Sequence, residues 1–431
     1  DTIDSRFEDA LNGNGGPDGN LAWNIFDISN HDPALIEYIS GSERSKRTGG
    51  LGVMDAILHT KILDMESAFG IQFSQDKISI KYDSSSSASF DENGYLIKSA
   101  DLLFLGGGKS ISESRNKKAL FAEFNKNVNG NFDIRFASRY EKIGSSSSFD
   151  PKISFKYSLN DSLVFRASAG SSFAAPSMAQ LFASEILLGT IRGADFSDKA
   201  RVIQIGNPNL KPATANNSNI GMIWRLQSNS KLTLDYWTID YKNRIELENG
   251  SVKASLEADS QDIIRNDEGY IVGVHTSFFN EEQSKVTGID TSFETYYDFK
   301  KLGSLRYKIQ GTSFLDYLTP DKDTGSMVNR VGYYNYNAHM HSIPKYKINS
   351  FLTWEKMQTK VNLITRYISG YKNKTPITSS HAALGYTDKV DDSMMVDIGV
   401  EQYFQANAYN MVLGINACLL YTSPSPRDKR Q

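Results

Sequence analysis

Six histidines are the first side chains here with obvious chemistry: His31, His59, His275, His339, His341 and His381. His339 and His341 stand two apart, so an extended backbone would turn both imidazoles to one side, as two ligands of one metal ion require. Tyr333, Tyr334 and Tyr336 crowd the same stretch. It reads either as a solvated loop or as a contact for a metal chelate. Asp321/Asp323 and Asp391/Asp392 are acidic pairs with calcium-type donors, but they lack the spacing of an EF-hand loop. The single cysteine, Cys418, excludes a disulfide framework and a thiolate zinc cluster. No Gly-x-Ser-x-Gly elbow and no Ser/His/Asp set is present. Gly106, Gly107, Gly108 and Lys109 lack the spacing of a phosphate loop; this stretch is expected to be a flexible outer segment. No catalytic, cofactor-binding or metal residue is assigned, no cofactor is implied, and an enzyme is not expected.

What would position any such group is a set of strands. The chain has 431 residues, 47 basic against 50 acidic, for a net charge of -3. That balance gives no footprint for nucleic acid. No apolar run approaches the roughly 18 residues a membrane helix needs, which excludes a helical membrane protein but not a barrel, whose lipid face uses only alternate residues. Alternation is the dominant pattern. Phe132, Ile134, Phe136 and Tyr140 interleave with Asp133, Arg135, Arg139 and Glu141. Ile220, Met222, Trp224 and Leu226 do so with Asn219, Gly221, Arg225 and Gln227, and Val396, Ile398 and Val400 with Asp397, Gly399 and Glu401. Each strand then has one greasy and one wet side.

About fourteen strands follow, over 51–62, 68–82, 118–127, 131–141, 151–158, 162–171, 217–228, 230–242, 286–299, 303–315, 345–356, 358–369, 393–405 and 408–417. The connections alternate in length. Short turns fall at 63–67, 128–130, 159–161, 228–229, 300–302, 357 and 406–407. Long ones fall at 83–117, 142–150, 172–216, 243–285, 316–344 and 370–392. That phase is the signature of an up-and-down transmembrane barrel, with short turns at one rim and long loops at the other. Residues 33–40 and 177–183 suit short helices inside loops. The serine runs 84–87 and 145–148 read as flexible linkers. Trp224, Tyr236, Trp237, Tyr297, Trp354, Tyr367 and Tyr403 suit interfacial girdles. Arg135, Arg139, Glu294, Arg306 and Lys308 suit a polar interior.

Two motifs stand out. In the first, Phe165 to Ser177 (FRASAGSSFAAPS) carries Phe173 and Pro176. In the second, Gly206, Asn207, Pro208, Asn209, Leu210, Lys211 and Pro212 lead into Asn219, Ile220 and Gly221. Pro176 ends a strand because it cannot donate to a ladder. Pro208 and Pro212 flank a pre-ordered turn. Phe173, Pro176, Gly206, Asn207, Pro208, Asn209, Leu210 and Pro212 are therefore read as structural rim residues.

In order and separation these motifs resemble the barrel of TonB-dependent outer-membrane receptors, as do Arg139–Tyr140–Glu141, Asp150–Pro151–Lys152 and the stretch Leu234 to Asp240. The resemblance covers most of 20–417. It departs at Ala174, where Arg is usual, and at Ala213, where Glu is usual. It implies an all-β antiparallel barrel of about 22 strands with a plug, here an incomplete portion: 1–50 as a long outer loop, 51–417 as barrel, and 418–431 as a non-native read-through tail, with neither plug nor TonB box. A partial, curled sheet with two open edges is expected. The resemblance further implies the outer membrane of a Gram-negative bacterium, contact with outer-membrane lipid, and an inner-membrane TonB complex as partner through the plug. The solute would be a scarce ferric siderophore, haem, cobalamin or oligosaccharide. A passive porin-like channel and a non-transport barrel such as an adhesin are the alternatives.

Overall fold

The structure is a computed structural model that describes all residues except 28–29, 93, 104–105, 193–195, 322–323, 336–340, 374–378, 407–408 and 421–431. Its largest sheet has 18 strands. Fourteen of them form an unbroken antiparallel ladder in chain order: β1 (Ser45–Ile62), β2 (Met65–Tyr82), β3 (Ile111–Asn127), β4 (Phe132–Ile143), β5 (Ser146–Ser158), β6 (Leu163–Ala174), β7 (Ala213–Gln227), β8 (Ser230–Leu247), β9 (Ile271–Asp298), β10 (Ser304–Pro320), β11 (Tyr346–Lys356), β12 (Thr359–Ile368), β13 (Ser393–Ala406) and β14 (Tyr409–Leu420). All fourteen expected strands are present, and no pairing joins β1 to β14 among the described residues.

Most strands outrun the expected spans at the long-loop end. β3 begins at Ile111 and β9 at Ile271. The β3 extension rises above the apolar band, where side chains on both faces are mostly polar and alternation carries no hydropathy signal, whereas the β9 extension is apolar and enters a buried cluster. β1 begins at Ser45, inside the stretch expected to be loop, and β14 runs on through Leu420, pairing Cys418 with Asp397.

Register assigns every side chain to a face. Leu58, Phe69, Leu120, Tyr140, Ile153, Phe165 and Ile220 share the apolar face and are all solvent-accessible. Arg135, Arg139, Glu294, Arg306 and Lys308 share the other face, as the sequence suggests. Two aromatics depart from the girdle expectation. Trp237 lies on the polar face, its ring 2.5 Å from where a Cβ on Gly288 would stand. Tyr403 lies there too and donates to Glu401 at 2.9 Å.

The loop phase holds with one correction. Leu63 and Asp64 turn β1 into β2 with φ of 47 and 60°, a type I′ pair that matches strand twist without glycine. Ser228 and Asn229 make a similarly short turn, and Met357 bends β11 into β12 with φ 53°. At the opposite end, 142–150 is not a long loop. β4 and β5 meet in a tight hairpin through Gly144 and Ser145, with Gly144 at φ 58°. Ser146, Ser147 and Ser148 are ladder residues; a serine run lacks apolar alternation, so it read as linker although both its faces are polar strand.

Three of the remaining long connections, within 83–117, 172–216 and 243–285, fold into a cap, while Tyr333–Asn335, His341–Ser342, Tyr371–Asn373 and Lys389–Val390 form a small sheet of their own. Strands Glu185–Arg192, Ser197–Ile205 and Ile263–Arg265 and helix Gly250–Leu256 pack with the first part of β9. Ser197–Ile205 runs parallel to β9 from Arg201↔Gly273 to Ile205↔Ser277. Ile191, Ala200, Ala254, Ile263, Ile271 and Val274 form a buried apolar cluster there. Helices Asp4–Leu11 and Pro33–Ile39 pack around Ala10, Leu35 and Ile39 as a separate cluster. The expected flexible segments 84–87 and 106–108 are parts of this packing. Ser86 is fully buried, and a Cβ on Gly107 would stand 1.9 Å from its carbonyl oxygen. The three glycines are a close-approach device, not a flexible loop.

Candidate functional site

The polar face is laced by cross-strand ion pairs. Asp76 on β2 accepts from Lys117 at 2.6 Å and from Arg115 at 3.2 Å, both on β3. Arg139 reaches Glu141 at 3.0 Å and donates to Gln72 at 2.7 Å. Lys156 pairs with Asp133 at 3.1 Å. Further along, Arg366 pairs with Asp397. Exposed pairs of this kind contribute little each, on the order of 0–1 kcal/mol. Their use is to neutralise a wall without making it apolar.

One pair is built more elaborately. Asp235 on β8 is nearly buried and accepts from Arg166 Nε at 2.8 Å, with a second contact from the same guanidinium, and from Asn219 at 3.4 Å. Gly221 makes this possible, because a Cβ there would stand 2.0 Å from Asp235 Oδ1. Arg166, Asn219, Gly221 and Asp235 come from three separate sequence stretches on β6, β7 and β8. Sequence reading quoted all three without joining them; the missing step was register, which sets Gly221 opposite both Arg166 and Asp235.

Beside this cluster lies a cavity of about 390 Å³ lined by Thr233, Asp235, Asp290, Gln310, Lys347 and Asn349 among others. Thr312 donates to Asp290 at 2.6 Å, and the Lys347 ammonium sits 5.9 Å above the Phe314 ring. Hydroxyls, amides, carboxylates and one cation converge there, a donor set suited to an oxygen-rich polar solute.

The two motifs meet at the top of this face. Ser177 caps helix Met178–Phe182 in a reciprocal capping box with Gln180. Arg115, already holding Asp76, donates to the carbonyl of Pro176 at 2.7 Å. Asn207 donates from its backbone to Gln180 O at 2.8 Å and from its side chain to Phe278 O at 2.8 Å. A Cβ on Gly206 would stand 2.8 Å from Leu181 O, so only glycine lets the segments touch. Asn209 and Leu210 donate back to Asn207, Leu210 being buried. Lys211 and Asn280 exchange two bonds of 2.8 Å, which fixes the chain before Pro212. Phe173 sits on β6 opposite Thr214, and Pro208 is exposed at the bend.

In the cap, Lys253 is buried between Asp262 at 2.6 Å and Glu248 at 2.8 Å. Burial works against its charge, but the two carboxylates outweigh that and raise its pKa. His275 is buried beside the Tyr95 ring, centroids 5.0 Å apart, and burial lowers its pKa. Its Nδ1 has no partner among the described residues. His31 stacks on Trp23 at 3.9 Å. His339, Tyr336 and Asp323 lie outside the described residues, as do the side chains of His341 and His381. Asp321 accepts from Thr324 and pairs with Arg330 at 3.9 Å. Among the described residues no group of three or more His, Cys, Asp or Glu is placed to hold a metal.

Known proteins extend this description. The model of the TonB-dependent receptor-like β-barrel matches residues 5–416, so the chain belongs to that family of outer-membrane proteins. A probable TonB-dependent siderophore receptor, PirA of Acinetobacter baumannii, is 25% identical over 237 residues, which are 54% of this chain and 30% of that protein. The crystal structure of PirA from the same species matches with TM-score 0.58 and 17% identity over 89% of this chain and 52% of its own. The ferric enterobactin receptor PfeA of Pseudomonas aeruginosa matches with TM-score 0.61 and 17% identity over 91% of this chain and 50% of its own. The chain thus spans about half the length of these solved structures. At such identities the structures establish a shared fold.

Proposed function

We propose that this chain is the barrel of a receptor for TonB-energised uptake of a ferric siderophore. The supporting observation is the polar wall: a neutralised interior face with a solute-sized polar cavity, opening towards a folded cap at one end only. Curated PirA is named a probable siderophore receptor, and PfeA is a ferric enterobactin receptor solved with enterobactin. A siderophore presents many oxygens, which Gln310, Asn349, Thr233 and Lys347 are equipped to meet. The paired motifs serve as rim architecture, with Pro176, Gly206, Asn207 and Leu210 clamping the first long connection onto the polar face. Outer-membrane lipid surrounds the apolar face, and the inner-membrane TonB complex supplies the energy.

The test is uptake of radioactive iron by cells whose only receptor is the natural full-length protein, with ferric catecholate, ferric hydroxamate, haem and cobalamin offered in turn. Saturable uptake of one ferric chelate, abolished by a protonophore or by loss of TonB, is the expected result. Uptake that ignores energy would favour the passive channel. Cell attachment without uptake of any solute would favour the adhesin.

A further inference from the structure

Many charges on the polar face are spent on one another. Glu123 pairs with Arg135 at 3.0 Å and Lys231 with Glu294 at 3.7 Å, in the manner of Asp76 with Lys117. The cavity of about 390 Å³ on β8 to β11 departs from this rule. Its charged lining is Asp235, Asp290 and Lys347. Asp235 is taken by Arg166. Asp290 accepts from the Thr312 hydroxyl and forms no ion pair among the described residues. Lys347 forms none there either, and its ammonium rests over the Phe314 ring. A free carboxylate and a free ammonium thus share one cavity without meeting.

Register shows that this arrangement costs stability. Asp235 and Asp290 stand directly opposite each other on β8 and β9. Like charges so placed repel, their Cβ atoms about 4.5–5.5 Å apart. Arg166 compensates the first aspartate and leaves the second bare. The same row continues from Asp290 to Thr312 and from Thr312 to Lys347. Asp290 and Lys347 are therefore two strand spacings apart, about 10 Å between Cα atoms, with a hydroxyl between them. The next polar-face row towards the cap is Trp237, Gly288 and Phe314. Its two rings meet edge to face at 6.0 Å. This aromatic shelf keeps water from one side of the charged row, which strengthens the field that a ligand meets there.

A ligand that satisfies the whole row carries a cation and an anion at its rim. Resting on the uptake reading above, we infer that the iron chelate is zwitterionic at its periphery, with a free ammonium held by Asp290 and a free carboxylate held by Lys347. An α-amino carboxylate supplies both groups on one arm of the chelator. Thr233, Gln310 and Asn349 meet the uncharged oxygens of the rest. Both ionic contacts are charge-assisted hydrogen bonds, and the ammonium relieves the Asp235–Asp290 repulsion as it binds. A ferric tris-catecholate is trianionic. It brings further negative charge against the two aspartates, so the row rejects it by the same electrostatics that admit the zwitterion. Asp290 and Lys347 are thus the residues that set specificity, and they select by charge pattern rather than by iron.

The experiment uses the natural full-length receptor in a neutral detergent and isothermal titration calorimetry. The probes are ferric linear trihydroxamates that differ only at one terminus: an α-amino carboxylate, an amine, a carboxylate or an acetamide. A ferric tris-catecholate completes the series. The α-amino carboxylate should bind about tenfold tighter than either singly charged form and about a hundredfold tighter than the acetamide. Asp290→Asn should remove the advantage of the amine and keep that of the carboxylate, and Lys347→Gln should do the reverse. Heat-modifiable migration on electrophoresis shows that each variant is folded. Equal, saturable binding of all four hydroxamates overturns the inference and leaves the uptake reading standing. Tightest binding of the tris-catecholate does the same. Binding of no ferric chelate at all overturns the uptake reading itself, and the inference with it.

Discussion

The ladder and the cap are held together by opposite arrangements of the same residue types. In the ladder the large apolar side chains point outward: Ile220 is 62% exposed, and Leu58, Leu120 and Phe165 are likewise open. Its strands cohere through backbone bonds, and the outward face is left for an apolar surrounding to cover. In the cap, Val274 is 0% exposed, and Ile186, Ile203 and Ile271 are nearly so. That is the core of a small water-soluble unit. A single strand, β9, passes through both regimes, pairing in parallel within the cap up to Ser277 and with β8 from Phe278 onward. One chain thus solves two solvent problems, and the change of solvent falls within one strand.

The sharpest way to break this contrast is a cavity in the cap. Ile271→Ala should cost the cap about 3 kcal/mol, read as faster amide exchange over 186–205 and 263–277 with the ladder amides unchanged. The reciprocal change is a charge on the outward face. Ile220→Arg should cost the ladder about 2 kcal/mol in a bilayer, seen as a lower urea midpoint in vesicles, with cap exchange unaltered. Equal sensitivity of both regions to either variant would mean that they unfold as one body. A smaller effect is expected at the joint. Ser177→Ala removes the capping box and should cost about 1 kcal/mol, loosening the Asn207–Gln180 contact before anything else. The smallest is a pH effect. Burial lowers the His275 pKa below 6.5, so on acidification the opened cap takes up a proton before the closed cap does. Stability is therefore constant above pH 6.5 and falls as pH drops below it. Asp262, Asp91, Lys253 and Tyr95 face this imidazole, and the carboxylates narrow the window without reversing it. His275→Gln should flatten the dependence of cap exchange on pH.

The ladder was legible because a strand with one wet and one lipid side writes period two into the sequence. Segments such as 132–141 need no partner to be recognised. The cap was not legible for the converse reason. Glu185–Arg192 reads EILLGTIR, a run without alternation, and its neighbours in space include Ser197–Ile205 and the distant β9. Parallel pairing across such a separation leaves no local trace. The Arg166–Asp235–Gly221 cluster was half legible, since its members sit inside recognisable stretches, but only register joins them. Ser146 to Ser148 misled because a strand polar on both faces is indistinguishable from a linker in composition.

The two-residue hairpin at Gly144 and Ser145 gives the outer rim an uneven skyline. Where neighbouring connections build a folded wall, β4 and β5 end in a notch. Lys142 stands at its edge, one residue from the turn on the strand side. The rim is therefore lowest at this point, whereas over β8 and β9 the cap rises above it. The low sill at β4–β5 is thus a sideways doorway in a structure otherwise approached from above.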